Sequence, residues 1–320
     1  MATSVREPTR TRAAARARKR QRGSSVASSR REQRRLALLF VVPPFAIYAM
    51  FMLYPFLGSI YYSLTSWDGA SATKHFIWLK NYSQMLHDDR MWSALSHNAI
   101  WAVLGTLFPI VAGFVLSVLL WENARFVLLF RTLYFVPFIL PSVVIATVWG
   151  WIYNPVFGVL NSGLDSIGLD SVARAWLGDP HTALYAVLLA AVWATFGFVV
   201  VVLLAALQNL DTSLIDAAVV DGAGWWQRAR HVILPGIAPV LTMVTTVTLI
   251  GAFAVFDLVF IMTGGGPGYS SDLLGTYTYK MAFNQNQVGY GAALSMAITA
   301  LSLVTAIAFV RLRERSTREA

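Results

Sequence analysis

Six apolar runs, at residues 36–57, 98–120, 132–153, 183–207, 239–262 and 288–310, are each long enough to cross a bilayer as a helix, which takes about 20 residues. Inside hydrocarbon the backbone must satisfy its own hydrogen bonds, so a spanning segment is a helix or part of a closed barrel. Runs this long exceed a spanning strand. The expected fold class is therefore an all-α integral membrane protein with six transmembrane helices. One ionisable residue, Asp257, falls inside the six runs. Only 13% of the 320 residues are charged and 57% are hydrophobic, against about a quarter charged in soluble domains.

Orientation follows from the cations, because segments rich in Lys and Arg stay in the cytoplasm. The N-terminal tail, the loops 121–131 and 208–238 and the C-terminal tail together carry 20 Lys and Arg; the opposite loops carry five. Both termini are thus expected in the cytoplasm. The predicted organisation is a basic, disordered tail over 1–35, a six-span domain over 36–310 and a second basic tail over 311–320. Arg30-Arg31 and Arg34-Arg35 precede an apolar run, but that run has span length and no small-residue cleavage site, which argues against an export signal. The basic tail reads as a positive-inside anchor touching anionic lipid, not as a nucleic-acid arm. Tyr54, Tyr61, Tyr62, Trp92, Trp101, Trp149, Trp151 and Tyr153 are expected at the headgroup level. Pro43-Pro44, Pro55, Pro109, Pro137 and Pro141 are expected to kink the helices that contain them.

Several chemistries are excluded. The chain has no cysteine, which removes disulfides, thiolate catalysis and thiolate metal sites. Its histidines, His75, His87, His97, His181 and His231, form no i, i+4 pair, so no metal is expected. None of Lys19, Lys74, Lys80 and Lys280 is followed by Ser or Thr, so a phosphate loop is missing. No span holds His, Cys or Glu, which argues against a membrane-embedded enzyme. A proton- or sodium-coupled transporter needs intramembrane acids, and Asp257 alone is thin support.

The segment 208–238 is too long for a plain connector. Ser213 followed by Asp216 reads as a helix start, Gly222 and Gly224 as a break, and 225–233 as a second short helix ended by Pro235. Such a helix–turn–helix knob could seat in a groove on a partner. Trp225, Trp226 and Arg228 equally suit an interfacial pair lying on lipid.

This segment resembles the cytoplasmic signature loop of ABC-importer membrane subunits. That pattern is Glu-Ala-Ala, three residues, Gly, nine residues, Ile, one residue, Leu-Pro. Here Asp216-Ala217-Ala218, Gly222, Val232 and Leu234-Pro235 keep the spacing. Asp216 replaces Glu, Val232 replaces Ile, and Ala229 stands where sugar-type members carry a large aromatic residue. Phe76, Asn81-Tyr82, Asp88 and Trp92 resemble the carbohydrate branch of the family. So do Arg131, Pro137, Pro141, Trp149, Asn154-Pro155, Gly158 and Asn161, and Phe256-Asp257 followed by Thr263-Gly264-Gly265-Gly266-Pro267. The resemblance covers roughly 36–310 and includes maltose, glycerol-3-phosphate and multiple-sugar uptake systems.

The resemblance implies a type I ABC-importer permease architecture in a bacterial cytoplasmic membrane. It implies a second, similar permease subunit, two ATP-binding subunits that carry ATP and Mg, and an extracytoplasmic solute-binding protein. The chain itself would bind no cofactor and catalyse nothing. Asp216, Ala217, Ala218, Asp221, Gly222, Ala223, Leu234 and Pro235 would couple to the ATPase. Transporter sites lie near the bilayer midplane; by depth alone, Trp193, Thr195 and Phe196 on the fourth span, with Thr248, Phe253 and Phe256 on the fifth, are candidates for the solute path. Asp257 reads either as a ligand for solute hydroxyls or as an anchor for the 264–267 turn.

Overall fold

The computed structural model describes residues 36, 38–122 and 127–318. The expected tail at 1–35 lies outside them. The chain divides into two units, the first ending at Gly58 and the second starting at Ser59. Among the described residues there is no strand.

The first unit is occupied by most of helix α1, Leu38–Ser63. Its apolar side chains, Phe40, Phe45, Phe51 and Leu57 among them, are exposed, as suits a helix whose solvent is hydrocarbon. A wide π turn at Ala49–Leu53 sits immediately before Tyr54-Pro55, and the Tyr54 amide donates to the Ala49 carbonyl. The proline lacks an amide donor, and the wide turn accommodates it without ending the helix.

The second unit contains α2 (Lys80–Leu86), α3 (Asp89–Glu122), α4 (Val127–Ile139), α5 (Ser142–Ile152), α6 (Val159–Ser166), α7 (Ala183–Gln208) and α8 (Thr212–Val220). It continues with α9 (Trp225–Gly236), α10 (Ala238–Phe253), α11 (Asp257–Met262), α12 (Leu274–Tyr279) and α13 (Val288–Arg318). Among the described residues four helices are long and apolar enough to span a membrane, and two bent pairs raise the number to as many as six.

One bent pair and one further break correct the sequence reading. The run 132–153 is not one helix: α4 and α5 meet at 100°. Pro141 adopts an extended backbone with ψ 143, since it can neither donate to the preceding turn nor fit against it. The run 239–262 breaks after Phe253, and Ala254–Phe256 leave the helix before α11 begins. The freed backbone is recaptured: the Asn98 amide donates to the Ala252 carbonyl at 3.5 Å, while its Oδ1 accepts from the Leu274 amide at 2.7 Å. At the other end of α10, α9 joins at 75°. The last helix runs past 310 to Arg318, so most of the expected C-terminal tail is helical.

Helices α3 and α7 form the centre. Trp101, Leu184, Val187 and Leu188 pack with Phe253, Val259 and Leu273. Toward the other end, Val118, Val199, Leu203 and Leu207 pack with Ile233, Ile237 and Val244. Trp101, expected at the headgroups, is 2% exposed and belongs to this core, because α3 starts at Asp89 and carries it a further three turns inward. Where α4 crosses α7, a Cβ on Gly197 would lie 1.6 Å from the Tyr134 carbonyl oxygen. Only glycine permits that approach.

The residues that resemble the carbohydrate branch hold one end of the bundle together. Asn81 is buried and donates to the Ser63 and Thr65 carbonyls, both at 2.8 Å. Tyr82 donates to Ser63 Oγ at 2.9 Å. Asp88 caps α3, with Oδ1 accepting from the Arg90 and Met91 amides, and its Oδ2 accepts from the Tyr277 and Tyr290 hydroxyls at 2.5 Å each. One carboxylate thereby ties α3 to α12 and α13. Partial burial works against its charge, but hydrogen bonds from the two phenols and the two amides outweigh that and hold its pKa below the usual carboxylate value.

Asp88→Ala removes a helix cap, worth about 1 kcal/mol, and leaves two phenols without their acceptor, at about 1–3 kcal/mol for each buried group left unpaired. A loss of about 3–7 kcal/mol is expected, read as a lower thermal midpoint of the detergent-solubilised protein. Because the folded pKa is depressed, the stabilisation by the charged form is present above the unfolded value of 3.8 and is lost as pH falls through the folded pKa. The gap between wild type and Asp88→Ala should therefore be constant from pH 5 to 7 and narrow below about pH 4. Gly197→Ala should force α4 off α7 and lower the midpoint more than Gly163→Ala, a position where an added Cβ meets nothing within 4 Å.

Candidate functional site

The segment following α7 is built as a closed helical pair. Asp211, not Ser213, caps α8, its Oδ1 accepting from the Ser213 amide at 3.0 Å. Hydrogen bonds from the Ser213 hydroxyl and amide hold the Asp211 carboxyl below its ordinary pKa. Helix α8 closes on Gly222, whose φ of +78° places it in the left-handed region. The Ala223 amide donates to the Ala218 carbonyl at 2.9 Å and the Gly222 amide to the Val219 carbonyl at 3.0 Å, the paired bonds of a Schellman ending. Gln227 Oε1 then accepts from the Gly224 amide at 2.8 Å and starts α9.

Pro235 does not terminate that helix, as the sequence reading expected. A π turn over Ala229–Ile233 gives the Leu234 amide the Ala229 carbonyl as acceptor, and the helix continues to Gly236. The same device precedes Pro55 in α1. Ile215, Ala229 and Ile233 are buried, and Ile233 joins the core of α7 and α10. Ala229, the departure from the resembled pattern, thus faces inward here. Asp216, Ala217, Asp221, Gly222 and Pro235 are exposed, and Ala218, Ala223 and Leu234 are half-buried. Val220 and Trp226, 86% and 70% exposed, flank the carboxylates. The outcome is a rigid knob bolted to the bundle through α9, with an acidic and apolar outer surface.

The residues chosen by depth separate into two groups. Phe253 is core beside Trp101 and Leu273, and Phe196 packs edge-on against Tyr134 at 5.6 Å beside Val200 and Leu204. Thr195, by contrast, faces a cavity of about 240 Å³ walled by Trp101, Phe138 and Phe198, with Thr248 on the opposite helix. Trp193 lies against Trp149 at 5.8 Å. Phe256 stacks on Phe260 at 5.0 Å, Tyr279 lies against both, and Phe283 continues the run at 5.0 Å from Tyr279.

Asp257 is not in the middle of a continuous spanning helix, as the sequence implied, but is the first residue of α11 after the break. Its carboxylate is exposed, and Oδ2 accepts from Ser142 Oγ at 3.3 Å. Ser142 is the first residue of α5, so this bond joins the two broken helices at their breaks. The anchor role assigned to Asp257 for the 264–267 turn falls to other residues. Ser271 Oγ donates to the Gly266 carbonyl at 2.6 Å, and Thr263 Oγ1 accepts from the Gly265 amide at 3.2 Å. Asp272, 4% exposed at its side chain, pairs with Lys280 at 2.8 Å and accepts from Thr276. Asp272 and Lys280, eight apart in sequence, both lie between the predicted spans, where hydropathy gives no signal for them. The Asp272–Thr276–Lys280 spacing of a single helical face was the available signal.

The residues that match known proteins cover this same bundle. A family described as "Binding-protein-dependent transport system inner membrane component" matches residues 105–318. The probable ABC transporter permease protein YurN of Bacillus subtilis (strain 168) is 35% identical over 271 residues, 84% of this chain and 92% of the relative. The trehalose/maltose transport system permease protein MalF of Thermococcus litoralis is 28% identical over 277 residues, 87% of this chain and 93% of the relative. A solved bacterial ABC transporter that imports the acidic polysaccharide alginate contains a chain of the same fold. Its TM-score is 0.77 at 20% identity, covering 89% of this chain and 96% of that one. By its family match and its identity to full-length relatives, this chain belongs to the inner-membrane components of binding-protein-dependent transport systems.

Proposed function

We propose that this chain is the membrane permease subunit of an ATP-driven importer, forming half of the path for a sugar or sugar-like solute delivered by an extracytoplasmic binding protein. The observation that carries this reading is the knob over 211–236. A closed helical pair, rigidly bolted to α7 and α10 and presenting Asp216, Ala217, Asp221 and Gly222, can transmit the movement of a partner to the spans. The chain has no phosphate loop of its own; ATP and Mg belong to the partner, a pair of ATP-binding subunits in which two knobs dock. The second knob comes from a second, similar permease subunit.

In this reading the bent pair α4–α5 makes one crossing and α10 another, which with α1, α3, α7 and α13 makes six spans. The cation count of 20 against five puts both termini and the knob in the cytoplasm. The exposed apolar surface of α1 meets lipid in the cytoplasmic membrane. Relatives named for trehalose/maltose and for diacetylchitobiose uptake support a carbohydrate. The solute passes the two helix breaks, where Asp257, Phe256 and the aromatic run stand beside the Ser142–Asp257 bond. Trp193 and Thr195 lie further along α7. A proton-coupled transporter is the second reading, favoured by the exposed Asp257 carboxylate at a helix break.

Uptake into vesicles holding the chain, its partner permease, the ATPase and the binding protein should require ATP and persist when the proton gradient is collapsed. Uptake driven by a proton gradient without ATP would overturn the importer reading. Gly222→Pro fixes φ near −65° where the native turn needs +78°, and it deletes the amide that reaches Val219. The variant should insert in the membrane at the wild-type level yet fail to co-purify with the ATPase. Retained co-purification would remove the coupling role from this knob.

A further inference from the structure

We propose that Asp257 makes the path selective by charge, so that the transported solute is a neutral or amino-bearing polyhydroxylated molecule and not an acidic sugar. This inference rests on the path assigned to the helix breaks above.

The argument begins with what surrounds the carboxylate. Asp257 is exposed, Oδ2 is held by Ser142 Oγ, and Oδ1 has no hydrogen-bond partner among the described residues. One oxygen is therefore positioned and the other is free to accept. Phe260 lies three residues on along α11, on the neighbouring face, and is 40% exposed. Phe256, Tyr279 and Phe283 extend the ring surface outward, ending in Phe283 at 68% exposure. Aromatic faces with one fixed acceptor suit a sugar ring, which offers C–H faces to the rings and hydroxyls to the carboxylate.

The charge on this surface is uncompensated. Lys280 adjoins Tyr279 in sequence, but its ammonium is turned away, 2.8 Å from Asp272 and over the Tyr269 ring at 4.9 Å. Among the described residues the ion pairs are Lys280–Asp272 and Arg174–Asp179, and neither includes Asp257. A carboxylate in no ion pair, at a protein surface where the effective dielectric is below that of bulk water, repels an anion and attracts a cation. For a solute charge passing within several ångströms at an effective dielectric near 20, this amounts to about a tenfold or larger bias. A neutral solute loses nothing and gains the acceptor.

The chain's lack of cysteine permits a test that needs no knowledge of the solute. Phe260→Cys, with Ala254→Cys as a second reporter in the exposed break, is introduced into the full chain and assembled with its partner subunits in lipid. The thiol is reacted with trimethylammonioethyl and sulfonatoethyl methanethiosulfonates, with modification of this chain read by mass and rates normalised to a free thiol. The cationic reagent should react about tenfold faster than the anionic one, and adding Asp257→Asn should return the ratio to that of the free thiol. If both reagents react and Asp257→Asn leaves their ratio unchanged, charge selection is overturned while the path stands. If neither reporter reacts with either reagent, the breaks are not lined by water, and the path and this inference fall together.

Discussion

Every backbone amide and carbonyl of a chain in hydrocarbon must find a partner within the protein, and the architecture follows from how this chain meets that demand where its helices are interrupted. Two solutions recur. Before Tyr54-Pro55 and before Leu234-Pro235, a π turn shifts the hydrogen bond by one residue and the helix continues. At Leu140-Pro141 and after Phe253 the helix breaks outright. There the chain relies on a neighbour: Asn98 serves the Ala252 carbonyl and the Leu274 amide. Irregular backbone at membrane depth is tolerated where it is buried in protein or lines a wet cavity. The breaks before α5 and α11 meet across one hydrogen bond.

Rigidity is concentrated at the two ends of the bundle. At one end, Asp88, Asn81 and the Asp272–Lys280 pair tie loops to helix starts. At the other, the Schellman ending at Gly222 and the buried Ile215, Ala229 and Ile233 make the knob a solid extension of α7 and α10. The middle, between these ends, holds the breaks and the 240 Å³ cavity. The packed Ile233 and Ile237 join α9 to the core of α7 and α10.

Much of this was legible in the chain itself. The long apolar runs fixed the helical class, and the spacing from Asp216 to Pro235 located the knob. Its inner details were not legible. Ser213 and Asp211 are both competent caps, and only the geometry of the chain leaving α7 decides that Asp211 serves. Pro235 is an ordinary stop signal that the π turn neutralises. Trp101 has the composition of an interfacial anchor, but its place on α3 puts it in the core. Asp257 shows the same limit: hydropathy counted it as a charge inside a span, because the averaging that finds spans cannot register a three-residue break.

By itself, the sequence determined that the chain is helical and membrane-embedded, that it carries no ATP site of the phosphate-loop type, and that a structured segment joins its fourth and fifth apolar runs. Those properties depend on local pattern, such as run length, charge position and glycine and proline spacing, and each is written within a few tens of residues. Tertiary structure alone decided which prolines break a helix, that Gly197 lets α4 lie on α7, that Asp88 gathers two tyrosines from roughly two hundred residues away, and that Ser142 meets Asp257. These are contacts between distant segments. Whether a freed carbonyl or carboxylate is satisfied depends on what the fold brings beside it, and no local pattern carries that information.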